Sequence, residues 1–251
     1  MDTPRTYGPI NSAMVREGNW LFRRRSWLPL TLALLVYPAV VLGPRFTQAQ
    51  WDRWELVALL VALAGLVVRF LVAGFVPKGT SGRNIEGQEA AALNTTGLYT
   101  LVRHPLYLGN FLMWLGVVLL AAHWWLAVVF ILLFWIYVER VMAAEEAYLE
   151  ERFGENFRAW AARTPAFLPR RLHWEKPPLG FSLRIMLRRE FSGIYGLIAA
   201  FNSVDVLRNL TGEADYLLDP LRAGLFWGGT LFYLLMVFLK KKTRLLKVPG
   251  R

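Results

Sequence analysis

The feature that most constrains this 251-residue chain is a series of apolar runs long enough to cross a bilayer. A hydrocarbon core about 30 Å thick needs roughly 20 helical residues, with about 17 to 25 as the usual range. Residues 26–43 carry no charge and follow Arg23, Arg24 and Arg25. Trp54 to Val76 is longer, interrupted only by Glu55 and Arg69. Pro105 to Ala122 is followed by a tight turn at His123-Trp124 and an apolar run to Val138, an arm that can leave the membrane as a helix through Glu139 to Phe153. Phe191 to Leu210 is weaker because it holds Asn202 and Asp205, whereas Leu221 to Leu239 is strong. These runs predict an all-α fold, a polytopic integral membrane helical bundle with about six transmembrane helices.

The charges supply the orientation. A net charge of +11 has two physical meanings, a nucleic-acid partner or an anionic membrane face. Residues 1–25 hold five Lys and Arg, 78–104 three, 139–190 ten and 240–251 six, together 24 of the 29. The alternate loops carry few: Arg45 and Arg53 in 44–53, and none in 211–220 beside Glu213, Asp215 and Asp219. The positive-inside bias therefore puts both termini and the two long loops in the cytoplasm, with anionic lipids as partners. The aromatic residues lie in or beside apolar spans, as interfacial belts do, and no nucleic-acid partner is expected. A composition of 55% hydrophobic and 19% charged residues excludes intrinsic disorder and tells against an ordinary soluble enzyme. The absence of cysteine excludes disulfides, thiolate metal sites and cysteine nucleophiles, and no metal site is read. Arg23 to Arg25 resemble the start of a signal peptide, but no small-residue cleavage site follows, so an uncleaved first helix is expected. Between Ser182 and Glu190, Leu183, Met186 and Leu187 stand opposite Arg184 and Arg188, the pattern of a short helix lying along the inner interface.

Two cytoplasmic segments hold residues that an anchor does not need. The first runs from Gly79 to Asn84, through Leu93-Asn94-Thr95-Thr96-Gly97-Leu98-Tyr99, to Arg103-His104-Pro105-Leu106-Tyr107-Leu108-Gly109-Asn110. Pro105 suits the first position of a helix, where its missing N–H is no loss. Arg103 and His104 then stand at a helix N-terminus, which favours an anionic group. Tyr107, Asn110 and Trp114 fall on one stripe, which should face the bundle interior or a cavity. The second segment runs from Glu139 to Gly154, where Glu145, Tyr148, Leu149 and Arg152 share a helical face. Glu150, Glu151 and Glu155 read as a solvated face. Arg140 can clamp a carboxylate or phosphate with two hydrogen bonds, and Glu145 and Glu146 can take hydroxyls, an amine or a cation. Arg69, the one basic residue well inside a span, either snorkels or meets a cofactor or substrate anion.

Gly97-Leu98-Tyr99, Arg103-His104-Pro105-Leu106-Tyr107-Leu108-Gly109, Glu145-Glu146 with Leu149, Phe153-Gly154 and Arg163 to Arg170 occur in one order. In this the chain resembles the isoprenylcysteine carboxyl methyltransferase and phospholipid methyltransferase superfamily, membrane enzymes that use S-adenosylmethionine, over about residues 55–170. The resemblance implies a cofactor pocket at the cytoplasmic face, with Arg103, His104, Pro105, Tyr107, Glu146, Gly97 and Tyr99 toward S-adenosylmethionine. It implies Arg140 and Glu145 as catalytic residues beside the acceptor. The stripe and the arginine inside a span add Asn110, Trp114 and Arg69 as expected substrate contacts. Three segments follow: 1–54 with the first span, 55–170 as the methyltransferase core, and 171–251 as an extension with two further spans. Phe157 and Trp160 stand where the family often has tyrosines, so hydroxyl contacts are lost there. The segment from Gly82 to Thr96 looks like a bacterial subgroup feature, which implies the bacterial cytoplasmic membrane.

The expected reaction moves a methyl group to a membrane-embedded acceptor. A lipid phosphate such as that of lipid A, or another lipid acid, ranks first; a prenylated cysteine carboxylate is second and a phosphatidylethanolamine-like amine third. An anion needs no strong base, whereas an amine would require Glu145 or His104 to take its proton. A sterol-type reductase using NADPH also has an Arg-His-Pro segment and is the second enzyme reading. A non-catalytic scaffold or transporter is the third.

Overall fold

The computed structural model describes residues 9–24, 30–44, 46–77, 90–210 and 220–248. The segment from Gly79 to Asn84, the acidic loop after Leu210 and the start of the first apolar run lie outside the described residues. Eight α-helices are found among those described: α1 Pro9–Arg24, α2 Leu30–Val41, α3 Gln48–Phe75, α4 Pro105–Leu119, α5 Trp124–Phe153, α6 Glu155–Arg163, α7 Leu183–Arg208 and α8 Pro220–Lys242. A 3-10 turn at Gly97–Thr100 precedes α4, and no strand is present among the described residues. The all-α expectation holds.

Three of these helices, α3, α5 and α8, are long and apolar enough to cross a membrane. The other three expected spans fall short by that measure, for different reasons. α2 has 12 helical residues with Pro38 inside, about 18 Å of rise. α4 has 15, about 22 Å. α7 is long enough but carries Arg184, Arg188, Arg189, Glu190, Asp205 and Arg208. The turn at His123-Trp124 and the continuation of α5 through Phe153 are as the sequence predicts, and at about 45 Å the helix must project beyond the hydrocarbon.

Two differences change the architecture. The residues from Ser182 to Glu190 are no separate interfacial helix but the first turns of α7, which Ser182 begins by accepting a hydrogen bond from the Ile185 N–H. Nothing between Glu190 and Phe191 breaks the helix, and its buried face is Ile185, Met186 and Glu190, while Leu183 is exposed. The N-terminal segment, read only as cytoplasmic, forms α1 and packs along α5.

Antiparallel α3 and α4 form the centre. Ala58, Ala62 and Gly65 on α3 face Gly109 and Gly116 on α4, and a Cβ on Gly65 would stand 2.5 Å from the Gly109 carbonyl oxygen. Small residues at a helix crossing let backbones approach within membranes. Gly109 therefore serves packing. Beside this pair, α2, α4 and α5 share a core built on Ala39, Val118, Leu126, Phe130 and Val138. Leu66, Val117 and Leu197 join α3 and α4 to α7, and Phe191 and Met236 join α7 to α8. At the end remote from the Arg-His-Pro segment, Arg222 of α8 reaches Glu55 of α3 at 2.6 Å and pairs with Asp205 of α7. The two acids that weaken spans in the sequence are thus neutralised between helices.

Candidate active site

At the other end, the chain enters α4 through Arg103 and His104. Their backbone N–H groups donate to Pro165 O at 2.8 Å and Ala166 O at 3.1 Å, which ties the Arg-His-Pro segment to the Arg163–Arg170 motif. Phe167 anchors that motif among Phe111, Phe134 and Trp135. Pro105 occupies the first helical position, and the His104 carbonyl accepts from Tyr107 and Leu108. The His104 ring makes no cap; it turns instead toward α5.

Arg103 forks onto Glu146, Nε to Oε1 at 2.8 Å and Nη2 to Oε2 at 3.1 Å. Its Nη1 donates to Ala161 O at 2.9 Å and Thr164 O at 2.6 Å, so four of its N–H groups are already engaged. Arg103 binds three stretches of chain together more than it offers itself to a ligand. His104 is buried, with Nε2 2.8 Å from Glu146 Oε1 and Nδ1 3.6 Å from Glu145 Oε2. Burial alone would lower its pKa, but hydrogen bonds to Glu145 and Glu146 and their charges prevail and raise it to about 9. A ring that keeps its proton at neutral pH has no lone pair for an incoming one, which tells against His104 as a base. Tyr107 Oη donates to Glu145 Oε2 at 2.9 Å, and its ring stacks on His104 with centroids 5.6 Å apart. The anions that come to this helix N-terminus are the chain's own Glu145 and Glu146.

Tyr99 borders the cluster. Burial, and next the charge of Glu145, push its hydroxyl up, while Arg189 and a hydrogen bond with Asn94 pull the other way. The hydroxyl stays protonated and able to donate. Gly97 has φ +63 and donates to Glu175 O at 2.9 Å; a Cβ there would meet Pro177 at 3.0 Å. Only glycine suits both the backbone and the contact. Trp160 donates to Tyr99 O at 3.2 Å, so the residue in place of a family tyrosine braces the site from behind. Phe157 is buried against Trp160. Tyr148 accepts from the Ala90 N–H at 3.4 Å, and Glu150 and Glu155 flank Arg158 at 3.5 and 2.9 Å, while Glu151 is exposed.

The expected substrate contacts divide. Arg69 does not snorkel: it bonds Asn110 of α4 and Glu190 of α7, the latter at 2.7 Å. Trp114 packs between two apolar cores, away from the carboxylates. Arg140, five residues before Glu145 and therefore about 140° around α5, pairs with Glu17 of α1 at 2.7 Å and bonds Ile136 O at 2.9 Å. The structure brings Arg103, His104, Tyr107, Glu145 and Glu146 together and leaves Arg140 on another face. Sequence reasoning missed Glu190, Glu17 and Arg189. For Glu190 a signal existed, since an arginine inside a span calls for a buried acid.

A family model for phospholipid methyltransferase matches residues 54–156. A nickel-cobalt-cadmium resistance protein of Alcaligenes xylosoxydans xylosoxydans is 31% identical over 152 residues, 61% of this chain and 68% of that protein. Protein-S-isoprenylcysteine O-methyltransferase B of Arabidopsis thaliana is 32% identical over 163 residues, 63% of this chain and 80% of its own. The Schizosaccharomyces pombe protein-S-isoprenylcysteine O-methyltransferase is 34% identical over 77 residues, 31% of this chain and 33% of its own. No solved structure matches significantly.

Proposed function

The chain belongs to the isoprenylcysteine carboxyl methyltransferase and phospholipid methyltransferase superfamily, and on that premise we propose that it methylates a membrane-embedded anionic lipid, using S-adenosylmethionine. The observation that carries this reading is the cluster of Arg103, His104, Tyr107, Glu145 and Glu146 at one end of the bundle, inside the matched region. The donor set fits the cofactor. S-adenosylmethionine is cationic at sulfur and at its ammonium and bears ribose hydroxyls; Glu145 and Glu146 can accept from such groups, and the Tyr99 and Tyr107 hydroxyls can bond the rest. The aromatic faces of Tyr107 and Tyr99 favour a cation by roughly 0.5 to 2 kcal/mol.

When bound, the cofactor supplies a methyl group on a sulfonium. The chain supplies position. Arg103 fixes Glu146, His104 fixes both acids, and Tyr107 fixes Glu145, so the carboxylates are held before a ligand arrives. Arg140 stands on a different face of α5 from these carboxylates, paired with Glu17; its proposed part is to meet the acceptor anion from that side. An oxyanion uses its own lone pair to form the new C–O bond as the C–S bond breaks, and no proton has to move. Holding the two reactants in line in a water-poor site can contribute about 7 to 11 kcal/mol. An amine acceptor would have to lose its proton to Glu145, because His104 already carries one.

An amine therefore ranks last; among anions, a lipid phosphate or another lipid acid is placed before a prenylated cysteine carboxylate on the bacterial look of the segment from Gly82 to Thr96 and on Arg140. The side with 24 of the 29 basic residues is the cytoplasmic one, which puts both termini and the cofactor pocket there, in a bacterial cytoplasmic membrane. Calorimetry on detergent-purified protein with S-adenosylmethionine and with NADPH tests the donor: binding of the first alone is expected, and binding of NADPH alone overturns the reading. Mass spectrometry of lipids from cells fed methyl-labelled methionine, with and without the protein, tests the acceptor. A lipid that gains label only with the protein is expected.

A further inference from the structure

We infer that a cleft between α1 and α5 receives the apolar tail of an anionic membrane lipid, and that Glu17 holds the place of its headgroup on Arg140. The inference rests on the proposed role of Arg140 as the residue that meets the acceptor anion. The cleft encloses about 550 Å³, within the range of about 300–1,000 Å³ common for ligand pockets. Trp20 and Leu21 of α1 and Leu133, Ile136 and Tyr137 of α5 wall it. Leu133 and Ile136 remain 49% and 50% exposed on a membrane-spanning helix, so the cleft opens toward hydrocarbon. Its lining suits a tail.

The rim suits a headgroup. Arg16, Glu17 and Arg140, two bases and one acid, are the charged residues that line the cleft. Arg140 Nε meets Glu17 Oε2 at 2.7 Å, and Glu17 is about half exposed, a setting in which an ion pair is weak and exchanges readily. The pairs Arg69–Glu190, Arg103–Glu146 and Arg222–Glu55 are more enclosed, and their arginines bond further to Asn110, to Ala161 and Thr164, and to Asp205. An incoming phosphate or carboxylate can take the same fork of the guanidinium. Once Glu17 swings away, the rim holds two positive charges for one headgroup. α1 need not leave with it. Gly18 lies so close to α5 that a Cβ would stand 2.0 Å from the Arg140 carbonyl oxygen, and Phe22 is buried. The helix is held by backbone contact and an apolar anchor, independent of the Glu17 carboxylate. Nothing in the family match, which begins at residue 54, accounts for α1.

The test uses the full chain in neutral detergent with no methyl donor. The probe is a lysophosphatidic acid with a dibrominated stearoyl chain, against the matching uncharged monoacylglycerol. Bromine quenches nearby tryptophan, and the part due to Trp20 is the difference between the natural protein and Trp20→Phe. Glu17→Gln should tighten binding of the charged probe about tenfold and Arg140→Gln should weaken it about tenfold, the scale of one charge-assisted contact. Glu17→Asp keeps the competing charge and should stay near the natural affinity, which separates competition from loosening of α1. The uncharged probe should respond to none of the three. Quenching as strong in Trp20→Phe as in the natural protein, or weaker binding in Glu17→Gln, overturns the inference. Methyl transfer fails separately: a protein that binds the probe in this way but labels no lipid keeps the cleft and loses the proposed function.

Discussion

Glu190 accepts from Arg69 Nε at 2.7 Å, although the two stand 121 positions apart in the chain. Arg69 lies deep in α3 and Glu190 in the second turn of α7, and Asn110 of α4 bonds the same guanidinium. Three helices are thus pinned at one depth by one charge pair. α7 lies outside the family match, yet it supplies the counter-charge for a residue inside it.

Removing one partner of such a pair is costlier than removing both. Glu190→Ala leaves a buried guanidinium, and a loss of about 3–5 kcal/mol is expected. The double variant Arg69→Met with Glu190→Leu should recover most of it. Thermal unfolding in detergent reads both; a single variant as stable as the natural protein would show that the pair does not hold α7.

Contact between α3 and α4 makes a second, purely steric prediction. A Cβ on Gly116 would meet the Ala58 carbonyl oxygen at 2.5 Å and Ala62 Cβ at 2.6 Å, and backbone cannot step aside as a flexible side chain can. Gly116→Ala should lower stability by about 1–3 kcal/mol. Gly224→Ala, where nothing lies within 4 Å, should not. Unfolding of the two variants side by side checks this.

The fold and the site were legible to different depths. Apolar runs announced α3, α5 and α8, because length and hydropathy are local properties. The Arg-His-Pro and Glu-Glu motifs announced the cluster, because their residues are few and chemically complementary. What stayed hidden depends on partners distant in sequence. Glu190 looked like the end of a surface helix until Arg69 stood beside it, and Asp205 looked like a flaw in a span until Arg222 paired with it. α1 was missed for a related reason: its apolar face is too short to read as a span, and α5 alone makes it worthwhile as a helix. Arg140 was put with Glu145 by the family resemblance, although five residues on a helix put two side chains on different faces.

Arg103 makes four hydrogen bonds that a lysine cannot reproduce, two to Glu146 and two to the carbonyls of Ala161 and Thr164. Arg103→Lys keeps the charge and loses the fork. With Glu146 no longer fixed, affinity for S-adenosylmethionine should fall about tenfold or more, since hydrogen bonds to charged groups contribute about 1.5–3 kcal/mol each. Calorimetry decides it, and unchanged affinity would separate Arg103 from the cofactor pocket.

His104 makes stability depend on pH in a defined direction. Its pKa in the folded protein is about 9, against about 6.5 in an unfolded chain. The folded state therefore holds the proton more tightly, and the stabilisation is complete below about pH 6.5. As pH rises toward 9 the folded protein must release that proton too, and the imidazolium bonds to Glu145 and Glu146 are lost. The difference corresponds to about 3 kcal/mol. The natural protein should unfold several degrees lower at pH 9.5 than at pH 6. His104→Gln keeps the size of the side chain without the titration; it should start less stable and change far less over the same interval. Thermal midpoints of the two proteins at pH 6, 7.5 and 9.5 measure the difference. Parallel curves would mean that His104 is neutral in the fold, and would return it to the role of a candidate base for an amine acceptor.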